Sequence, residues 1–234
     1  MKSSAIACLI SLSVLGAMPG QANAQSAPSR CGELTNGIGP FDYRVDKQHL
    51  PIVEGAHFTP EVEMLVKGKG GYLGQDLDYT LRAFPNHHRA LISVMRYGER
   101  LKSPQPGHVR YTVECYFERA TRFRPDDAVS RMLFAQFLYK ESKPEAARAQ
   151  LEVAAHGGRE NAFTLYNIGL VYAEAKDYAR ALENAHKAYG MGITRPGLRE
   201  QLAAAGQWKD AEPAPAVVAA PPSAAEPTAP GTRP

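Results

Sequence analysis

What most limits the fold of this chain is a pair of small residues, Gly169 and Ala181, in the stretch Asn161 to Pro196, NAFTLYNIGLVYAEAKDYARALENAHKAYGMGITRP. The stretch reads as two short amphipathic helices. Leu165, Ile168, Gly169 and Tyr172, three and four residues apart, share one face of the first. Tyr178, Ala181, Ala185 and Ala188 do the same on the second. Gly169 and Ala181 fall where two antiparallel helices touch, and a larger side chain at either place would push the backbones apart. The stretch is therefore expected to close as a tight helical hairpin.

The spacing recurs upstream. Ala135 lies 34 residues before Gly169, and Ala147 lies 34 before Ala181. Asp126 to Gly158 thus reads as a preceding unit, with Phe134, Leu138, Leu151 and Ala154 inward, and Arg159 to Thr194 as the last. One unit earlier, His88 to Leu101 reads as a first helix and Val109 to Arg124 as its second, with Val113, Phe117 and Ala120 inward and Pro125 closing it. Between them SPQPGH, Ser103 to His108, lengthens the turn. Asp76 to Phe84 reads as the tail of a half unit. It is expected to be helical, although Leu77, Tyr79 and Leu81 alternate as in a strand. Beyond Pro196, GLREQLAAAGQW carries Leu198, Leu202 and Ala205 on one side, a helix suited to cap the apolar face that the last hairpin of a stack leaves open.

Leu165, Ile168, Gly169, Tyr172, Tyr178, Ala181 and Ala188, at a period of 34, resemble the tetratricopeptide repeat. The run Pro85 to Leu91 resembles its junction between units. The chain departs from that pattern at Ala185, where a large apolar residue is usual, at Arg131, where an aromatic is usual, and in its late closing proline, Pro196. The resemblance implies an all-α, right-handed solenoid over 76–208, made of about three helical hairpins, a half repeat and a capping helix. It also implies a general role, the binding of other protein chains.

In such proteins one face of each first helix lines a concave groove that holds extended peptides or helices. Carried over by position, that face holds Arg89, Ile92, Arg96 and Arg100 in the first unit. The middle unit gives Met132, Gln136, Tyr139 and Lys140. The last gives Phe163, Tyr166, Asn167, Leu170 and Glu174. Asn167 resembles the groove asparagine that holds a ligand main chain. The implied groove is basic at one end and aromatic at the other, which suits an acidic or carboxylate-ended segment with an apolar anchor. The two arginine-clamp positions of the family's chaperone-binding class are not both matched, so that specificity is not implied.

Residues 1–24 have a different logic. Lys2 precedes an apolar core from Ala5 to Met18, then Pro-Gly, then Ala22-Asn23-Ala24. This is the layout of a secretory signal peptide cut before Gln25. The apolar run, about 14 residues, falls short of the roughly 20 needed to span a bilayer. Cys31 follows Pro-Ser-Arg rather than the small apolar residues of a lipoprotein. The mature chain is therefore expected in the periplasm or secreted, with no stable membrane insertion. The net charge of +3, or +2 once Lys2 leaves, lacks the basic excess of a nucleic-acid binder. Cys8 also leaves, so Cys31 and Cys115 remain. In an exported chain an even pair is most simply a disulfide, the alternative being two unrelated buried cysteines.

Residues 25–75 read as an irregular segment rich in turn-favouring glycine, with one short helix opening at Thr59-Pro60-Glu61 and ending in the basic connector KGKGG, Lys67 to Gly71. Residues 209–234, rich in Pro and Ala, read as a disordered tail. No catalytic constellation stands out. His57, His87 and His88 have no metal-ligand spacing, and adjacent histidines on a helix start point about 100° apart. Neither enzyme activity nor a cofactor is expected. The reading is an exported interaction module using the groove. The alternative is a non-catalytic subunit of an envelope enzyme or secretion machine, docking through the N-terminal segment.

Overall fold

A computed structural model describes residues 30–157 and 161–211. The proposed signal peptide, and the tail beyond Ala211, lie outside the described residues. A 3-10 turn, Lys47–His49, leads into α1 (Leu50–His57), α2 (Pro60–Glu63), α3 (Leu73–Ala83), α4 (His88–Leu101) and α5 (Val113–Phe123). There follow α6 (Ala128–Lys140), α7 (Pro144–Gly157), α8 (Ala162–Glu174), α9 (Tyr178–Gly190) and α10 (Gly197–Ala204). The described residues contain no strand, so 76–83 is helical despite its alternation, and Phe84 follows as the cap. None of the helices is long and apolar enough to cross a membrane.

Side-chain caps fix the starts of α4, α5, α6 and α8. Asp127 accepts from the Val129 and Ser130 amides, Asn161 from Thr164, Thr112 from Cys115 and His87 from Ala90. The ends of α4, α6 and α8 share one geometry. Lys102, Ser142 and Lys176 each take a left-handed backbone, with φ of 49°, 57° and 61°. The amide after each then donates back to Gly98, Leu138 or Tyr172. This is one Schellman turn made three times, which satisfies the last carbonyls of each first helix.

Helix α6 pairs with α7 and α8 with α9, while α4, α6 and α8 contact one another in succession. The apolar faces fuse into one core, running from Phe58 and Val62 at one end to Leu198 and Leu202 of α10 at the other. At Gly169 the close approach is more specific than the sequence suggests. A Cβ there would meet Leu198 Cδ2 at 2.5 Å, while the Ala181 carbonyl of α9 stands off at 3.4 Å. The glycine makes room chiefly for the capping helix, not only for its hairpin partner.

Three expectations need correction. The N-terminal segment is not irregular throughout and has two helices where one was expected. α1 packs on α3, and α2 touches both α3 and α4, so α1–α2 with α3 precede the first full hairpin as a further helical layer. Helix α5 begins at Val113, not Val109, because the lengthened turn runs on until Thr112 caps the helix. The tail's first residues are fastened down: His186 Nε2 bonds the Lys209 carbonyl at 2.7 Å, and Asp210 accepts from Trp208 and Arg199.

Residues 31–46 form a strap across the second helices. The Cys31–Cys115 disulfide joins its start to α5, with Cα atoms 5.1 Å apart. Arg119, buried on the same helix, donates to the Cys31 and Glu33 carbonyls at 3.1 and 2.7 Å and stacks on Tyr111. Further along, Phe41 donates to the Ala83 carbonyl at 2.8 Å. Gly39, at φ +83°, passes so close to Ala83 that a Cβ would lie 2.4 Å from its oxygen.

Candidate functional site: the groove of the first helices

The strap ends in a buried polar knot at the two helix junctions 84–88 and 124–128. Asn86 donates to Asp42 at 2.8 Å and to Asp127 at 2.9 Å, and accepts the Tyr43 amide. Arg44 bridges Asp42 and Asp126, and Arg124 Nε lies 2.9 Å from Asp42. Burial opposes charge on Asp42 and Asp127. Hydrogen bonds from Arg44 and Asn86 outweigh it at Asp42 and hold its carboxyl well below the usual range. His88 and Asn86 bring Asp127 down to about 2.

The three histidines go to three different carboxylates. His87 is fully buried; its Nδ1 accepts the Ala90 amide, so Nε2 carries the proton and donates to Glu54 at 2.9 Å. Burial pushes its pKa down to about 3, in keeping with that neutral tautomer. His88 bonds Asp127, and His57 bonds Asp76 while stacking on Tyr79. The knot is structural: each polar group in it holds a helix start or the strap.

The first helices leave a cavity of about 580 Å³. Ile92 and Arg96 of α4, Gln136, Tyr139 and Lys140 of α6, and Glu174 of α8 line it. These six, assigned to the groove by position, come together. The floor includes Met95, Leu133 and Val171, which the positional reading did not name. Arg96 and Glu174 form no ion pair among the described residues, whereas Lys140 pairs with Glu99 at 2.5 Å. The Tyr139 hydroxyl is buried without a hydrogen-bond partner among the described residues.

The other residues assigned to the groove by position do not line this cavity, and most have contacts that sequence position does not report. Arg89 forms a two-pronged pair with Glu63, reaches Glu54 and covers Phe58, so α1–α2 hold it. Arg100 donates to the Leu65 carbonyl at 2.6 Å. The basic end of the groove is thereby reduced to Arg96. Met132 is buried in the core. Tyr166 is buried too, its hydroxyl accepting the Leu198 amide of α10. Phe163 is exposed but lies under Arg195, Leu170 is half-buried against the core, and Asn167 is exposed to solvent. The aromatic end is therefore a packing surface for the cap.

Comparison with known protein families, with curated proteins and with solved structures finds no match to this chain.

Proposed function

We infer that the chain is an exported interaction module of the tetratricopeptide type, which holds an extended segment of another protein in the groove of α4, α6 and α8. The observation that carries this reading is the open cavity lined by one side chain or more from each first helix, with Arg96, which forms no ion pair among the described residues, at its edge. Gln136 adds an amide able to bond a peptide main chain, and Ile92, Met95, Leu133 and Val171 offer apolar contact. The cation at Arg96 suits an acidic group on the partner. Export is supported by the leader-like residues 1–24 and by the Cys31–Cys115 bond. No catalytic role is assigned to any residue.

The test is selection of binding peptides from a random library on the purified protein, followed by mapping through amide chemical shifts. Binders whose shifts fall on α4, α6 and α8, and which lose affinity with Arg96→Glu, support the groove. Binders that map elsewhere and ignore Arg96→Glu refute it. A second reading, docking through the N-terminal segment, draws on the exposure of Ile52, Met64 and Val66 (75, 67 and 68 %) on and beside α1–α2. Selected binders sensitive to Ile52→Glu but not to Arg96→Glu would favour it.

A further inference from the structure

The lengthened turn between α4 and α5 builds a second cavity. Residues 102–112 connect α4 to α5, where the α6–α7 and α8–α9 turns take three residues each, 141–143 and 175–177. The loop walls a space of about 680 Å³ that shares Met95 and Lys140 with the groove. This volume lies in the range of small-molecule pockets, roughly 300–1,000 Å³. Its floor is apolar, formed by the buried Met95, Val113 and Phe137. Its rim is cationic. Arg30, Lys102 and Arg110 all line it, and none forms an ion pair among the described residues. Two of the rim's acids are neutralised, Glu99 by Lys140 at 2.5 Å and Glu114 by Lys143 at 2.7 Å. Glu141 alone opposes the three free cations.

We propose that this pocket binds a small organic acid, a carboxylate on an apolar body. Its carboxylate meets the forked guanidinium donors of Arg30 and Arg110. Its body covers Met95, Val113 and Phe137 and removes their surface from water. A bare inorganic anion would leave that floor wet, and a cationic amphiphile would meet three like charges. Arg30 is held at the rim because its neighbour Cys31 is bonded to Cys115, so the strap completes the site. The inference does not depend on what the first-helix groove binds.

Calorimetric titration of the purified protein with octanoate, acetate and octylammonium tests it, with amide shifts to locate binding. Octanoate should shift residues in 98–115 and 137–141. Acetate and octylammonium should each bind at least about tenfold more weakly, lacking the apolar body or carrying the wrong charge. Arg110→Glu and Arg30→Glu should each weaken octanoate by about tenfold or more, the scale of a lost charge-assisted contact. The Arg110 side chain makes no hydrogen bond among the described residues, so this variant is expected to keep the fold, which a thermal melt checks. The proposal is overturned if acetate or octylammonium matches octanoate, or if the shifts lie elsewhere. It is equally overturned by unchanged affinity in both variants, or by no octanoate binding at millimolar concentration.

Discussion

The contact between Gly169 and the capping helix permits a quantitative test by a double-mutant cycle with Leu198. In Gly169→Ala the new methyl sits 2.5 Å from Leu198 Cδ2, well inside van der Waals contact, but 3.4 Å from the Ala181 carbonyl and 3.6 Å from Asn184 Cβ. Replacing a helix-interior glycine by alanine contributes about 1 kcal/mol through backbone entropy. Overpacking a fully buried site costs about 1–3 kcal/mol. The single variant should therefore be up to about 2 kcal/mol less stable than the parent. Leu198→Ala alone removes a side chain with no exposed surface, at a cost of about 2–5 kcal/mol. In the double variant the clashing methyl group is gone while the helix-propensity gain remains. It should be more stable than the sum of the singles by about 1–3 kcal/mol. Urea unfolding followed by far-ultraviolet circular dichroism at constant m-value measures all four corners of the cycle. Additivity within about 0.5 kcal/mol would refute the packing of α10 on Gly169. Gly169→Leu should be worse than Gly169→Ala, since its longer side chain must also displace α9.

Three further outcomes are expected. The Cys31→Ser/Cys115→Ser variant should lose up to about 4–5 kcal/mol, because the bond closes a separation of 84 residues in the unfolded chain; equal melting with and without reductant would contradict this. Neutral His87 is favoured by the fold and its pKa of about 3 lies below the unfolded value near 6.5. The unfolded chain thus binds the extra proton first, and stability should fall with a slope of up to about 1.4 kcal/mol per pH unit between about 6.5 and 3. Loss of the Asp42 and Asp127 contributions follows below about 4. His87→Gln should flatten the upper part of this profile, and an unchanged profile would exclude His87 as its source. Deleting 212–234 should leave helicity and melting temperature unchanged, since a Pro/Ala-rich stretch has no apolar face to bury; deleting from Lys209 should cost only the exposed contacts of Lys209 and Asp210.

The hairpins were legible in the chain because their determinants are local. Three- and four-residue apolar spacing and small residues at helix contacts act within a few positions of themselves. The 34-residue recurrence adds the order in which such units stack. That Ile92, Arg96, Gln136, Tyr139, Lys140 and Glu174 line one cavity follows from the same source, since helical periodicity fixes which face a side chain occupies. The Cys31–Cys115 pairing needed only a count of thiols and an assumption of export.

Periodicity does not report who answers a side chain from across the fold. Arg89, Arg96 and Arg100 occupy equivalent-looking places on one helix face, yet Glu63 takes the first and the Leu65 carbonyl the last. Arg96 forms no ion pair among the described residues, although it lies near enough to Glu63 for its charge to help hold that carboxyl down. Tyr166 reads as a groove aromatic, but the Leu198 amide, 32 residues on, claims its hydroxyl. The weakly periodic segment 31–65 illustrates the same limit. Its order comes from Arg119, Asn86 and Ala83, all distant in sequence, so nothing in its own residues marks where it lies. The amino-acid sequence by itself determined the helices and the faces they turn inward. Tertiary structure decided which exposed charges are spent within the chain and which stay available, because that choice depends on distances between segments that the sequence does not encode locally.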